Sequence, residues 1–315
     1  MSEKSKNIVV FDISICKLKR YNRVENKKRG ENMKKYIDND HEPSILPDGR
    51  EWKLVWNDEF DGYELDMEKW SFRKYIMGKR HPTFDDEGVA LDGRSNAVFS
   101  IYEKDGVICS SQLQTGYNYL DEPHTEQALF GGGVANDGPG LVWPIGKLQK
   151  HKFTHSYGYY ECRCKLQKHP GWWSAFWLQS PVIGSSLDPS FSGVENDIME
   201  SFSPGKIISH NNHYDGYGVD HKEVNVGHGM DLDVDEYHTF GMLWEKDGYT
   251  FFVDGVQDGE KVTSPVSQIP QFILISTEVM GYRGSNHAAD ARAYEAVTEN
   301  DKFIVDYVRV FDEIS

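Results

Sequence analysis

Cysteine, cationic charge, long apolar runs and long helical patterns are all scarce in this 315-residue chain. Each shortage closes off a class of protein. The four cysteines, Cys16, Cys109, Cys162 and Cys164, are too few and too scattered for a disulfide framework, and none has zinc-ligand spacing. Cys162 and Cys164 stand at i and i+2 of a strand-like run. A reducing compartment, or indifference to redox, fits this usage. Lys and Arg number 34 against 50 Asp and Glu, a formal charge of −16. That balance lacks the basic stripe a nucleic-acid partner needs. It also disfavours a polyanionic substrate outside a local basic patch. No apolar run approaches the roughly 20 residues that span a bilayer, so no membrane partner is expected.

The amino terminus also lacks something. Residues 1–45 are rich in Lys, Arg, Asn and Glu but have no apolar core of the secretory type, residues 8–11 being too short. Arg29-Gly30-Glu31, just ahead of Met33, can be encoded by a purine-rich ribosome-binding sequence. Translation is therefore expected to start at Met33, with residues 1–32 not translated natively. Neither start supplies an export signal, which by sequence places the protein in the cytoplasm. The expected organisation is a poorly ordered charged extension over 1–45 and one domain over 46–315.

Aromatics, by contrast, reach 13%, enough to line a surface as well as fill a core. From residue 51 onward the pattern is short strands with turn punctuation. Strands are expected at 52–56, 97–102, 107–110, 157–165, 172–179, 237–245, 249–254, 272–277 and 303–311. Asp105-Gly106, Asp247-Gly248 and Asp254-Gly255 are hairpin signals. So many strands over one length predict an all-β, two-sheet sandwich or jelly roll. The polar, Gly-rich stretches 117–140 and 281–300 are too long for plain turns, and such loops are functional or disordered.

The densest chemistry lies at residues 193–202, where Glu195, Asp197 and Glu200 interrupt an apolar strand. Glu195 and Asp197 share a face by strand parity, whereas Glu200 does not. One extra residue at Ile198-Met199, a β-bulge, brings all three to one side. Three crowded acids cost several kcal/mol unless they serve a purpose. Two carboxyls on one face are what retaining glycosidic hydrolysis needs, one as nucleophile and one as acid/base. Mutual repulsion raises the pKa of one member, and the middle acid can hydrogen-bond the nucleophile. A solvated acidic edge or a calcium site is the alternative.

One strand upstream, Trp173, Ala175 and Trp177 share a face, opposite Trp172, Ser174, Phe176 and Leu178. Indole faces stack on sugar rings, though core packing is the other use of such a strand. Downstream come His210, His213, Tyr214, Asp215, Tyr217 and His221. Residues 210–214 suit a strand beside the acids, from which His213 can reach a sugar hydroxyl or a carboxylate.

The pattern E-x-D-x-x-E at Glu195, Asp197 and Glu200 resembles the signature of glycoside hydrolase family 16 in its bulged form. The resemblance runs from about residue 51 to 312. Residues 54–62 with Leu65-Asp66 and Trp70 are similar to the family's opening strand. Residues 157–163 resemble its Y-G-x-x-E-x-R strand, and 171–178 its G-x-W-P-A-F-W-L segment with Ser174 for proline. His238 to Trp244 with Val253-Asp254-Gly255, and the closing strand 303–311, complete the series.

The resemblance implies a concanavalin A-like jelly roll of two curved antiparallel sheets, with an open cleft on the concave face. It implies retaining endo-hydrolysis of a β-linked polysaccharide or oligosaccharide, a β-1,3- or β-1,3/1,4-glucan or a β-galactan, by a single chain without a catalytic cofactor. Transglycosylation of the same glycans, or lectin-like binding, are the rival activities. Glu195 is then the nucleophile, Glu200 the acid/base and Asp197 the assisting acid. Trp173, Trp177, His213 and Trp143 become substrate-binding candidates, with Arg94 and Asn96 for the family's R-x-x-N, spaced here R-x-N. Glu278 is a fourth acid at the cleft rim or facing solvent. Asp306, with backbone oxygens near Glu59 and Gly106, matches the family's structural calcium site. Asn196, in place of an aliphatic residue between the first two acids, is expected to alter a subsite. The family is usually secreted.

Overall fold

The computed structural model describes residues 41–121, 149–226, 228–282 and 288–314. The alternating pattern at 172–179 becomes the strand Trp172–Gln179. Its Trp172, Phe176 and Leu178 enter the main apolar core, which leaves Trp173, Ala175 and Trp177 on the other face. The same alternation builds two eight-stranded sheets.

The first sheet runs in spatial order Val256–Val262, Gly248–Val253, His238–Glu245, Gly158–Lys165, Phe303–Ile314, Ala97–Phe99 and Val89–Leu91. Glu51–Asp58 also pairs with Phe303–Ile314. The second runs Lys222–Asn225, Ile207–Tyr214, Glu195–Ser203, Trp172–Gln179, Phe272–Val279, Gln112–Gln114 and Ser71–Phe72, with His228–Gly229 beside Ile207–Tyr214. Every pairing within these two sheets is antiparallel. Tyr160, Cys162, Phe240, Met242 and Val308 from the first sheet meet Trp172, Phe176, Ile198, Ile208 and Ile275 from the second. Burying each such side chain stabilises the fold by about 1.5–3 kcal/mol. The result is the expected all-β jelly-roll sandwich, with the acid-bearing strand in the middle of the second sheet. No described helix is long and apolar enough to cross a membrane.

Three expectations are corrected. The run 97–102 is not one strand: Ala97–Phe99 stays in the first sheet, while Tyr102–Lys104 pairs with Val107–Cys109 in a separate hairpin. Its turn has Asp105 at φ 52° and Gly106 at φ 79°, as the Asp-Gly signal demands. Within 281–300 lies a helix, Ala291–Thr298, whose cap Asp290 accepts the Arg292 amide at 2.9 Å. It buries only Ala293 and Ala296, so its apolar stripe is nearly invisible in the sequence. Residues 41–45 belong to the fold rather than to a loose extension. Arg309 donates to the Glu42 carbonyl and to Ser44 Oγ, each at 2.8 Å, and the Ile45 amide donates to Glu161 at 2.8 Å. The expected start at Met33, along with Cys16 and Trp143, lies outside the described residues.

Candidate active site

The acids depend on the bulge. Along Trp172–Gln179 the neighbours Phe176 and Trp177 pair with Met199 and Asp197, so Ile198 is the extra residue. Ile198 and Met199, though adjacent, both point into the core and are fully buried. Glu200 is thereby returned to the face of Glu195 and Asp197. On the next strand the three acids oppose His213, Asn211 and Ser209, whose side chains stand on the same face.

The two glutamates sit in unlike surroundings. Glu195 Oε2 accepts from Gln179 Nε2 at 3.0 Å and from the Tyr217 hydroxyl. Glu200 Oε2 accepts from Asn211 Nδ2 at 2.7 Å, and Asn211 also donates to Ser209 Oγ at 2.9 Å. Burial, then the charge of Asp197, push the Glu200 carboxyl well above its ordinary pKa; the Asn211 bond opposes this and Glu195 adds to it. The Glu200 carboxyl therefore keeps its proton to higher pH than an ordinary glutamate does.

His213 Nε2 lies 3.3 Å from Asp197 Oδ2, and its Nδ1 lies 3.0 Å from His221 Nε2. Burial alone would lower the His213 pKa, but the Asp197 bond and the charges of Glu195, Asp197 and Glu200 outweigh it and raise it to about 9. His221, stacked on His213 at 5.1 Å, is shifted down by burial and by that imidazolium. Neutral His221 can then accept the Nδ1 proton. Ligand atoms of Glu195, Asp197 and His213 lie within 4.8 Å of one another, close enough for a metal ion. A protonated His213 imidazole also supplies countercharge to the two carboxyls there.

The tryptophans divide in role. Trp177 is nearly buried, its Nε1 donating to Ser276 Oγ at 2.9 Å and its ring lying under the Arg73 guanidinium at 5.3 Å. It forms the floor of the acid face rather than an open platform. Trp173 is half-buried, tilted against Phe202 at 5.2 Å, and offers more ring to a ligand. Glu278, opposite Trp173 in the register, is on the acid face but buried at 2% exposure, so it neither faces solvent nor stands free at a rim.

Other candidates lie elsewhere. Asn196 points between the sheets, donating to Asn212 Oδ1 at 2.6 Å and accepting from Gln271 at 3.0 Å, so it does not line a subsite. Arg94 and Asn96 do not reach the acids. With His41, Arg163, Tyr237 and Asp306 they line a pocket of about 550 Å³ on the first sheet. Their turn folds on itself, Asp92 accepting from the Arg94 amide at 2.7 Å and from Asn96 Nδ2 at 3.0 Å, while Tyr237 donates to Asn96 at 2.9 Å. Nor do the residues around Asp306 fit a calcium ion as they stand. Arg163 is ion-paired to that carboxylate and lies 4.5 Å over the Tyr237 ring, and Glu59 is held by Arg309 through two bonds of 2.7 and 2.9 Å. A dication would meet a fixed cation and an already matched charge.

Gln179, Asn211 and Arg73 were given no part by sequence reasoning, and Tyr217 no role. Strand parity alone would have found Gln179, which shares the face of Trp177. Arg73 comes from a distant segment, fixed by Asp121 at 2.6 Å, and carries no local signal.

Residues 144–308 match the model of glycosyl hydrolases family 16. The chain is 25% identical over 284 residues to glucan endo-1,3-beta-glucosidase A1 of Niallia circulans, covering 82% of this chain but only 38% of that protein. It is 26% identical over 287 residues to a beta-glucanase of Rhodothermus marinus, covering 82% of this chain and 85% of the relative. Its fold resembles the catalytic domain of an endo-1,3-beta-glucanase (laminarinase) from Thermotoga petrophila RKU-1. There the TM-score is 0.59 and the identity 21%, over 84% of this chain and all of that one. With the family model matching just over half of its length, the chain belongs to glycosyl hydrolases family 16.

Proposed function

We propose that the protein is a retaining endo-β-glycosidase that hydrolyses a β-linked glucan by double displacement. The observation that carries this reading is the contrast between two carboxyls on one sheet face. Glu200 is driven towards its protonated form by burial and by Asp197, while Glu195 is surrounded by donors that suit a carboxylate. An acid and a nucleophile are the two parts this chemistry needs.

In the first step a Glu195 oxygen attacks the anomeric carbon while Glu200 gives its proton to the departing glycosidic oxygen. In the second, water attacks the same carbon, Glu200 takes its proton, and the bond to Glu195 breaks. Asp197, bridged to the imidazolium of His213, lies between them and adjusts both charges. The glucan reading draws on the 1,3-beta-glucosidase and beta-glucanase relatives. One chain carries every group named, so a monomer suffices.

Screening the purified chain on laminarin, lichenan, agar, carrageenan and galactan, with product sizing, tests the substrate. A β-galactan as sole substrate would reassign the subsites but keep the chemistry. Proton NMR of the first-formed anomer tests the mechanism, since an inverted product refutes Glu195 as nucleophile. Saturable binding without turnover would make the protein a lectin.

A further inference from the structure

The loop joining Ile207–Tyr214 to Lys222–Asn225 delivers a tyrosine to one of the two glutamates. It leaves the strand through two successive left-handed residues, Asp215 at φ 61° and Gly216 at φ 78°. The Asp215 carboxylate, 1% exposed, pairs with Lys222 Nζ at 2.6 Å and closes the loop on itself. Tyr217 is then pressed against the cluster of Tyr119, Leu120 and Ile183, with the His221 ring 6.3 Å away. Its hydroxyl meets both Gln179 and Glu195. Gln179 Nε2 donates to the phenol oxygen at 2.5 Å, which leaves the phenol hydrogen for Glu195 Oε2. An ionised carboxylate only accepts, so the chain of bonds has one direction: amide to phenol to carboxylate.

We infer that Tyr217 is a positioning residue for the Glu195 carboxylate, holding Oε2 so that Oε1 attacks and easing the release of the glycosyl-enzyme. The inference rests on the glycosidase reading. When Oε1 bonds to the anomeric carbon, Oε2 becomes the carbonyl oxygen of an ester. When water later attacks that carbon, the C–Oε1 bond breaks and its electron pair returns to the carboxylate as Glu200 takes the water's proton. Charge then grows on Oε2, where the Tyr217 hydroxyl and the Gln179 amide are already aimed. The same bonds stabilise the free carboxylate before attack, so the gain falls mainly on the second step. Burial, then the nearby charge of Glu195, push the phenol well above its ordinary pKa, so it stays a donor throughout the working range.

The test compares the full chain with its Tyr217→Phe variant on the dinitrophenyl β-glycoside of a β-1,3-linked glucose disaccharide, whose good leaving group makes the second step limiting. The expected result is a fall of about tenfold in kcat and in KM together, with kcat/KM at neutral pH nearly kept and its acid limb moved up by about one pH unit. A carbon-13 titration of labelled glutamate carboxyls should show Glu195 rising by the same amount, whether or not turnover is seen. An unchanged Glu195 titration overturns the inference, as does a loss confined to kcat/KM. A wild-type chain that turns over no glycan refutes the glycosidase reading, while the titration still decides the Tyr217 contact. Should Tyr217→Phe fail to fold, Gln179→Leu removes the donor behind the phenol together with the amide's own bond to Glu195 Oε2, and the same signs are expected.

Discussion

His210 Nδ1 lies 2.6 Å from the carbonyl oxygen of Ile198, the residue that makes the bulge. A carbonyl only accepts, so this nitrogen carries the proton. The other ring nitrogen lies 3.2 Å from Asp258 Oδ2 on the first sheet, and the ring stacks on Phe251 at 4.8 Å and 11°. A fully buried histidine thus ties the opposite sheet to the peptide that sets the parity of Glu200. The bulge is a bonded feature rather than a slip in pairing.

Replacing His210 by leucine should therefore harm both stability and chemistry. The Ile198 carbonyl and one side of Asp258 would lose a partner inside the core, at a cost of about 2–4 kcal/mol in denaturant unfolding. With Glu200 less well held, kcat should fall by more than KM changes. His210→Gln, which keeps an N–H for Ile198, should recover part of the kcat. Equal activity in the two variants would sever the link between this tether and the acid.

Glu200→Gln separates the chemical role of the acid from its effect on stability. Without a proton to give, hydrolysis of the polysaccharide should drop by about 10²–10⁴-fold. A dinitrophenyl glycoside, which needs no acid to leave, should still form the glycosyl-enzyme. The sign for stability is the reverse of loss. Because the folded-state pKa of Glu200 is raised, first by burial and then by Asp197, its favourable contribution is complete only below the ordinary glutamate pKa. It fades as pH rises. A glutamine stays neutral and can still accept from Asn211, so the variant should melt higher than wild type at pH 7 and no higher at pH 4.

His213 loses its contribution in the same direction, but over a higher pH range. Its folded-state pKa of about 9 stands above the ordinary 6.5, because the Asp197 bond and the charge of the neighbouring acids outweigh burial. The stability this contributes, on the order of 3 kcal/mol, is complete below about pH 6.5 and lost as pH rises through 9. His213→Gln should flatten the decline in melting temperature between pH 6.5 and 9. It also removes a positive charge that holds the Glu200 pKa down, so the basic limb of the activity profile should move up. An unmoved limb would mean that His213 serves only Asp197.

What the sequence made legible was what strand geometry makes local. The parity of Glu200 demanded one extra residue, and Ile198 is that residue. The alternation at Trp172–Gln179 separated core from acid face correctly. Parity also puts Asn196 on the inner face, yet its place between Glu195 and Asp197 invited a subsite role that its bonds to Asn212 and Gln271 exclude. What stayed hidden depends on where loops land. Arg94 and Asn96 lie in the turn between Val89–Leu91 and Ala97–Phe99 of the first sheet and so reach the pocket at Asp306, not the acids. Tyr217 arrives beside Glu195 because of two left-handed residues and a buried aspartate in an irregular loop, for which no periodicity exists.

The Arg163–Asp306 pair bears on the expected calcium ion. Burial pushes the Asp306 carboxyl up, while Arg163 and Arg309 oppose it, and the guanidinium of Arg163 is pinned between that carboxylate and the Tyr237 ring. A calcium ion bound to Asp306 would need Arg163 to swing out and lose both contacts. Chelation of the purified chain with EGTA should therefore leave its melting temperature unchanged, and added calcium should not raise it. Arg163→Ala should create the opening: this variant alone should gain stability from millimolar calcium, because Asp306 then has no countercharge of its own. A wild-type chain that melts several degrees lower after chelation would show that the ion competes successfully with Arg163.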